Sequence, residues 1–248
     1  MPASATAVGV DWGVNGWVAA VRDGAGWDTR LHPSLLSVWH AHRDADAVLV
    51  DVPVGLPERG RRACDERARE VLGSQRRRVF LAPPRAALDA PTYAAAKRRV
   101  EARTDGSLTT QTWNVLPQVR DADVLLAEHP DARGVVREAH PEVCFAGLGD
   151  GPIAPAKTDD AGVEARLDVL DRYDDARAAY ERLVAERIDD PPAHGRRFRA
   201  DNRDDLLDAM CLALTGWTDR GTLRTLPDDP PRDPERRVPM EIVYRDVP

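Results

Sequence analysis

The chain has 248 residues, 42% of them hydrophobic and 31% charged, with a formal net charge of −7. That apolar content is enough for a proper core, and the negative balance argues against a protein that coats nucleic acid nonspecifically, though it leaves room for a local basic groove. No apolar run approaches the ~20 residues a bilayer span needs, and the amino-terminal residues pass into a strand without a basic and apolar signal region, so a cytoplasmic protein with no membrane partner is expected.

The first predicted strand, about Ala7 to Trp12, belongs to the stretch VGVDWGVNGWVAAV, in which Asn15-Gly16 is a two-residue hairpin signal of type I′. A second strand, Trp17 to Arg22, and a third, Trp27 to His32, complete an antiparallel meander. Pro33 then opens a short helix, SLLSVWHAHRD, and AVLVDVPVGLP reads as a parallel strand covered on both faces, pairing with the first. Residues from about 57 to 130 read as a helical insertion, in which CDERAREVLG stops on Gly73 and the other helical pieces are TYAAAKRRVEAR and QTWNVLPQVRDADVLLAEH. A fifth strand, Gly134 to His140, leads to a loop carrying Lys157, two helices (Gly162 to Arg172 and Asp174 to Ile188) and a core helix, Arg203 to Trp217. The proline- and charge-rich tail from Asp219 is expected to wrap the surface. The pattern predicts one α/β domain over residues 1–248, with a mixed five-stranded sheet (antiparallel meander 1-2-3 plus parallel strands 4 and 5) and flanking helices. Cys64, Cys144 and Cys211 have no metal-ligand or disulfide spacing and are expected in the core.

Two acidic anomalies stand out. Asp11 sits inside an apolar strand, and an ionised carboxylate buried without a partner costs several kcal/mol or takes up a proton. Asp51 ends the adjacent parallel strand, at the edge where open α/β sheets place their sites. In DDLLDAMCLALTGW the helix is apolar almost all round, yet Asp208 interrupts it, with Asp205 one turn earlier on the same face. Asp201 and Asp204 are explained as ordinary acids at a helix N-terminus; Asp208 lies past the first turn. Asp11, Asp51, Asp205 and Asp208 would repel one another unless cations sat among them. Oxygen ligands suit Mg²⁺ or Mn²⁺, and two such ions roughly 3.5–4 Å apart serve in-line attack of water on a phosphodiester.

The motifs VDWGVNGW, VDVPVGLP, AHPEVCF and DDLLDAMCLA resemble the family of predicted ribonuclease H-like nucleases, of the domain-of-unknown-function 429 type, over nearly the whole chain. The resemblance implies a ribonuclease H-like fold, Asp11, Asp51 and Asp208 as metal ligands with Asp205 close behind, and a nucleic-acid substrate. One departure matters: the first helix has no glutamate, and the strand acids with an Asp-x-x-Asp helix are closer to the pattern of Holliday-junction resolvases. An RNA/DNA hybrid substrate is therefore not implied.

Further candidates stand beside simpler explanations. Glu138, His140 and Glu142 fall near the end of the fifth strand as ligands or a proton relay, the two glutamates ahead of the histidine because Mg²⁺ prefers oxygen, or they mark an ordinary strand-to-loop junction. Lys157, one of two lysines in an arginine-rich chain, offers a compact ammonium to a scissile phosphate or is a solvated loop residue. Arg76, Arg77, Arg78 and Arg85, with Phe80, form a nucleic-acid-binding groove or a solvated helix end. Trp12, Trp17 and Trp113 are expected in the core rather than as base-stacking platforms. Two other functions are open: a nucleotide-handling protein of the actin and sugar-kinase type, which also begins Asp-x-Gly but needs a second lobe and a second Gly-rich phosphate loop, and a noncatalytic binding module.

Overall fold

A computed structural model describes residues 5–191, 198–218 and 220–247. Strands β1 (Ala7–Gly13), β2 (Gly16–Asp23) and β3 (Gly26–His32) form the antiparallel meander, and α1 (Leu35–Ala41), capped by the Ser34 side chain, crosses to β4 (Ala47–Val50), which runs parallel to β1. Between β4 and β5 (Val136–Glu138) the insertion contributes α2 (Ala63–Leu72), α3 (Tyr93–Glu101) and α4 (Thr110–Glu128). The five strands lie in the order β3-β2-β1-β4-β5, with β4 and β5 parallel. Four helices follow: α5 (Pro141–Leu148), α6 (Asp160–Asp171), α7 (Ala176–Val184) and α8 (Asn202–Trp217). Among the described residues, no helix is long and apolar enough to cross a membrane.

The expected α/β sheet is present, and three local expectations need correction. The first hairpin turns on Val14-Asn15, because Gly13 pairs with Gly16 and Gly16 already belongs to β2. Neither Val14 nor Asn15 takes the positive φ of a type I′ turn; Gly16 has a φ of 148°, and a side chain there would sit 2.4 Å from the His32 carbonyl oxygen of β3. Second, the segment after β5 is helix α5 rather than loop. Seven of its eight residues are buried, so it lacks the polar face that makes a helix visible as a period in sequence. Third, the tail folds into an antiparallel hairpin of β6 (Thr222–Leu226) and β7 (Ile242–Asp246), and Ile242 and Val243 are buried in the interior; Asp219 itself lies outside the described residues. The three cysteines are buried and free.

Strand alternation separates two cores. Val8, Val10, Val48 and Val50 face α1 and α4, packing with Val38, Trp39, Leu116 and Val119, whereas Val18, Ala20 and Leu49 face α5 and α8. Leu206, Leu207, Leu212 and Leu214 of α8 are all fully buried, each stabilising the fold by about 1.5–3 kcal/mol. Together these exceed the cost, several kcal/mol, of carrying one carboxylate into the same interface. Glycine permits the close approach: a Cβ on Gly9 would lie 1.9 Å from the Ala209 carbonyl oxygen and 2.3 Å from the Ala213 nitrogen.

Candidate functional site

Register brings the first two acids together. Val10 of β1 pairs with Val50 of β4, so Asp11 and Asp51 are the next residues on adjacent parallel strands, and the Asp51 amide donates to the Val10 carbonyl at 2.9 Å. Two-residue alternation puts Asp11 on the same sheet face as Gly9 and Gly13, under α8. Asp11 is only 6% exposed, and its Oδ1 accepts from the Trp12 amide at 2.7 Å. From above, α8 supplies Asp208, 3% exposed, and Asp205 one turn earlier. A Cβ at Gly13 would meet the Asp205 Oδ2 at 2.3 Å, so Gly13 gives that carboxylate its place. Asp205 Oδ2 accepts from Asn202 Nδ2 at 2.9 Å, and the buried Asn202 is itself held by the Arg199 amide at 2.8 Å. Sequence reasoning missed Gly9, Gly13 and Asn202. The signals were the glycines two residues either side of Asp11 and the one-turn spacing of Asn202 to Asp205.

Lys157 is the cation of this cluster, its Nζ 2.6 Å from Asp208 Oδ2 and 3.3 Å from Asp204 Oδ2. Burial first, and then the charges of Asp51 and Asp208, hold the Asp11 carboxyl well above the usual carboxylate range. Burial likewise raises Asp51, against the pull of His140 and Lys157. Asp208 is pushed up to about 6 by burial despite Lys157, and Asp205 to about 6 by burial despite the Asn202 hydrogen bond. Burial opposes the Lys157 charge, but Asp208 and Asp11 outweigh it and keep the ammonium protonated. These acids are thus crowded, desolvated and underbalanced.

A cleft of about 380 Å³ opens on the cluster, lined by Asp51, Asp208, Lys157, His140, Glu142 and Arg78 among others. Glu142 binds Arg166 through Oε1 at 2.6 Å, and Arg78 stands 2.9 Å from the same oxygen; Oε2 is buried without a hydrogen-bond partner. His140 Nε2 lies 3.3 Å from the Arg78 carbonyl oxygen, and its Nδ1 is also buried without one.

Glu138 is not brought to the cluster. It shares strand parity with Val136, whose side chain belongs to the opposite core, and Arg62 grips it at 2.6 and 2.7 Å while the Val54 amide donates at 2.7 Å. The arginine group is likewise divided. Arg76 and Arg77 are exposed and Arg78 reaches the cleft, but Arg85 is buried between Asp123 and Asp233. Trp17 is fully buried, whereas Trp12, expected in the core, packs edge-on against Trp17 and is 37% exposed.

The donor set is carboxylate oxygen throughout, the chemistry that suits Mg²⁺ or Mn²⁺, and the unpartnered Glu142 Oε2 adds an oxygen on the cleft wall. In this side-chain conformation, among the described residues, no group of three His, Cys, Asp or Glu side chains is assembled to hold a metal ion, and Lys157 holds Asp208. The fit to a divalent cation is thus one of charge and donor type, and not of assembled geometry.

No curated protein and no solved structure matches the chain. A family model described as "Protein of unknown function (DUF429)" matches residues 9–232, a span that takes in Asp11, Asp51, Asp205 and Asp208 together with the cleft around them, and the chain belongs to that family.

Proposed function

We propose that the protein is a divalent-metal-dependent phosphodiester hydrolase of ribonuclease H-like type that acts on nucleic acid. One observation carries this reading: Asp51 at the end of β4 and Asp208 of α8 line one cleft, the buried Asp11 of β1 lies close enough behind them for their charges to raise its pKa, and a single lysine is bonded to the group. Four carboxylates in low dielectric are a standing cost, and a fold keeps such a cost where a ligand repays it.

Asp11, Asp51 and Asp208 would hold the metal, with Asp205 behind them; two Mg²⁺ or Mn²⁺ ions would balance the four acids. When bound, the metal supplies an acidified water and a counter-charge for the phosphate in the transition state. The chain's own groups do the rest. Lys157 carries a protonated amine at the cleft mouth, where it attracts a phosphate oxygen. Arg78, paired with Glu142, contributes a second positive charge to the lining. Asn202 fixes the Asp205 carboxylate, and Gly9 and Gly13 let α8 come close enough for its acids to meet those of the sheet. A second cleft shares Lys157 and Thr158 with this one.

The test is cleavage of labelled single-stranded, duplex and branched DNA and RNA with Mn²⁺, comparing the wild type with Asp51→Asn. The expected result is metal-dependent cleavage lost in the variant while the thermal melt stays cooperative. Cleavage that persists in Asp51→Asn, or in excess chelator, overturns the reading. Stabilisation by ATP beyond that of metal alone would support the nucleotide-handling alternative instead.

A further inference from the structure

Another cleft lies away from the Asp11, Asp51, Asp205 and Asp208 cluster, along the outer edge of β5, with a volume of about 440 Å³. That is the size range of a small-molecule site. Its floor is apolar, made by Val54, Val136, Val238 and Pro239, and its rim carries four arginines, Arg133, Arg137, Arg232 and Arg237. Two glutamates also line it, and both are already engaged: Glu138 by Arg62 and Glu241 by Arg137. Among the described residues, Arg133, Arg232 and Arg237 have no carboxylate partner. Arg133 spends Nε on the Leu126 carbonyl and Arg232 spends one Nη on the Arg237 carbonyl, so most of their donors remain open. In a chain of net charge −7, this leaves a positive rim around an apolar floor.

The backbone that presents Arg237 is itself unusual. Its φ is 61°, the only positive φ at a non-glycine residue among those described. A residue held there costs about 1–3 kcal/mol and persists where the surroundings over-determine it. They do so here: the Arg237 amide donates to the Asp233 carbonyl at 3.0 Å and the Asp233 amide to the Val238 carbonyl at 2.9 Å. The fully buried Asp233 carboxylate then ties the turn to the amides of Leu56, Glu235 and Arg236. Glycine or asparagine would be cheaper at this position; an arginine there sets a guanidinium on the cleft rim.

We propose that this cleft binds a nucleoside phosphate, with the flat base on the valine and proline floor and the phosphate taken by the forks of Arg133 and Arg237. Guanidinium groups match phosphate oxygens two at a time and stack on planar rings, which an ammonium does not. A bare inorganic anion would leave the apolar floor uncovered, and an uncharged base would leave the rim unsatisfied. The site is independent of the hydrolase reading, since none of its residues touches the carboxylate cluster.

The experiment is isothermal titration calorimetry in chelator, with adenosine 5′-monophosphate, adenosine and inorganic phosphate as separate probes. The monophosphate is expected to bind at least about tenfold more tightly than either fragment. Arg133→Ala and Arg237→Gly are each expected to weaken it by about fivefold or more, consistent with loss of one charge-assisted contact. Glycine is chosen at 237 because it accepts the left-handed backbone, so the turn keeps its conformation and a melting curve verifies folding. Asp208→Asn should bind the monophosphate like the wild type. No detectable binding of the monophosphate at millimolar concentration, equal affinity for inorganic phosphate, or wild-type affinity in both arginine variants would each overturn the proposal.

Discussion

Two clusters of buried acids lie on opposite faces of the same sheet, and they are built differently. On the α4 face, Glu138 and Asp65 enclose Arg62, which is 1% exposed; Glu138 also takes the Val54 amide and Asp65 the Ala82 amide. On the α8 face, Asp11, Asp51, Asp205 and Asp208 share one lysine and a few local hydrogen bonds. Burial raises the carboxyl pKa on both faces, Glu138 to about 7 and Asp208 to about 6. A shifted pKa therefore does not separate a structural cluster from a functional one. The inventory of partners does: the first cluster is complete within the protein, and the second is left short of positive charge beside an open cleft.

That contrast can be tested at several strengths. The largest effect is expected from Asp51→Asn or Asp208→Asn, which should reduce Mn²⁺-dependent cleavage by about a hundredfold or more. In chelator the same variants should melt at or above the wild-type temperature, because a repelling charge is gone. Arg62→Ala should do the opposite, leaving two buried carboxylates uncompensated and lowering stability by about 3–5 kcal/mol in a urea titration. Its Mn²⁺ affinity, measured where it is still folded, should be unchanged. An Arg62 variant that loses metal binding but not stability would collapse the distinction between the two faces.

Gly9→Ala should cost about 3 kcal/mol or more, since the new methyl meets the α8 backbone rather than a movable side chain. It should also weaken metal binding by shifting Asp205 and Asp208.

The smallest effect is the pH dependence. Asp205 and Asp208 have folded pKa values raised to about 6 from the model-peptide value of 3.8, so between those values the folded state binds more protons than the unfolded chain. Their stabilising contribution is fully present below the unfolded value and is lost as pH rises through about 6. In metal-free protein these two acids should thus contribute stability on acidification from pH 7 toward pH 5, against His32, whose folded pKa of about 4 works in the opposite direction, and saturating Mn²⁺ should flatten the share of the acids. Asp208→Asn should reduce it in chelator. A metal-free profile indifferent to this substitution would mean that Asp208 is not under electrostatic load.

Much of the architecture was written in local chemistry. Alternation, turn residues and the β-α-β handedness rule gave the meander, the β1–β4 pairing and hence the neighbouring Asp11 and Asp51. The anomaly of an acid in an apolar helix was enough to single out Asp208. Helix α5 escaped because a segment buried on every side carries no period, and the tail hairpin because proline and charge mask the buried Ile242 and Val243. Glu138 lies apart from the carboxylate cluster for a related reason. Its position at the end of a site-bearing strand is visible in the chain, but the face it points to and the arginine that neutralises it, 76 residues earlier, are not.

The sequence by itself thus determined where acids interrupt apolar segments, because the cost of burying charge is a property of the residue and its immediate neighbours. Which acids share a space, and which are already neutralised, was decided only in the folded molecule. Pairing depends on strand parity and on contacts between residues far apart in the chain: Arg62 reaches Glu138, Lys157 reaches Asp208, and Gly9 admits the backbone of α8.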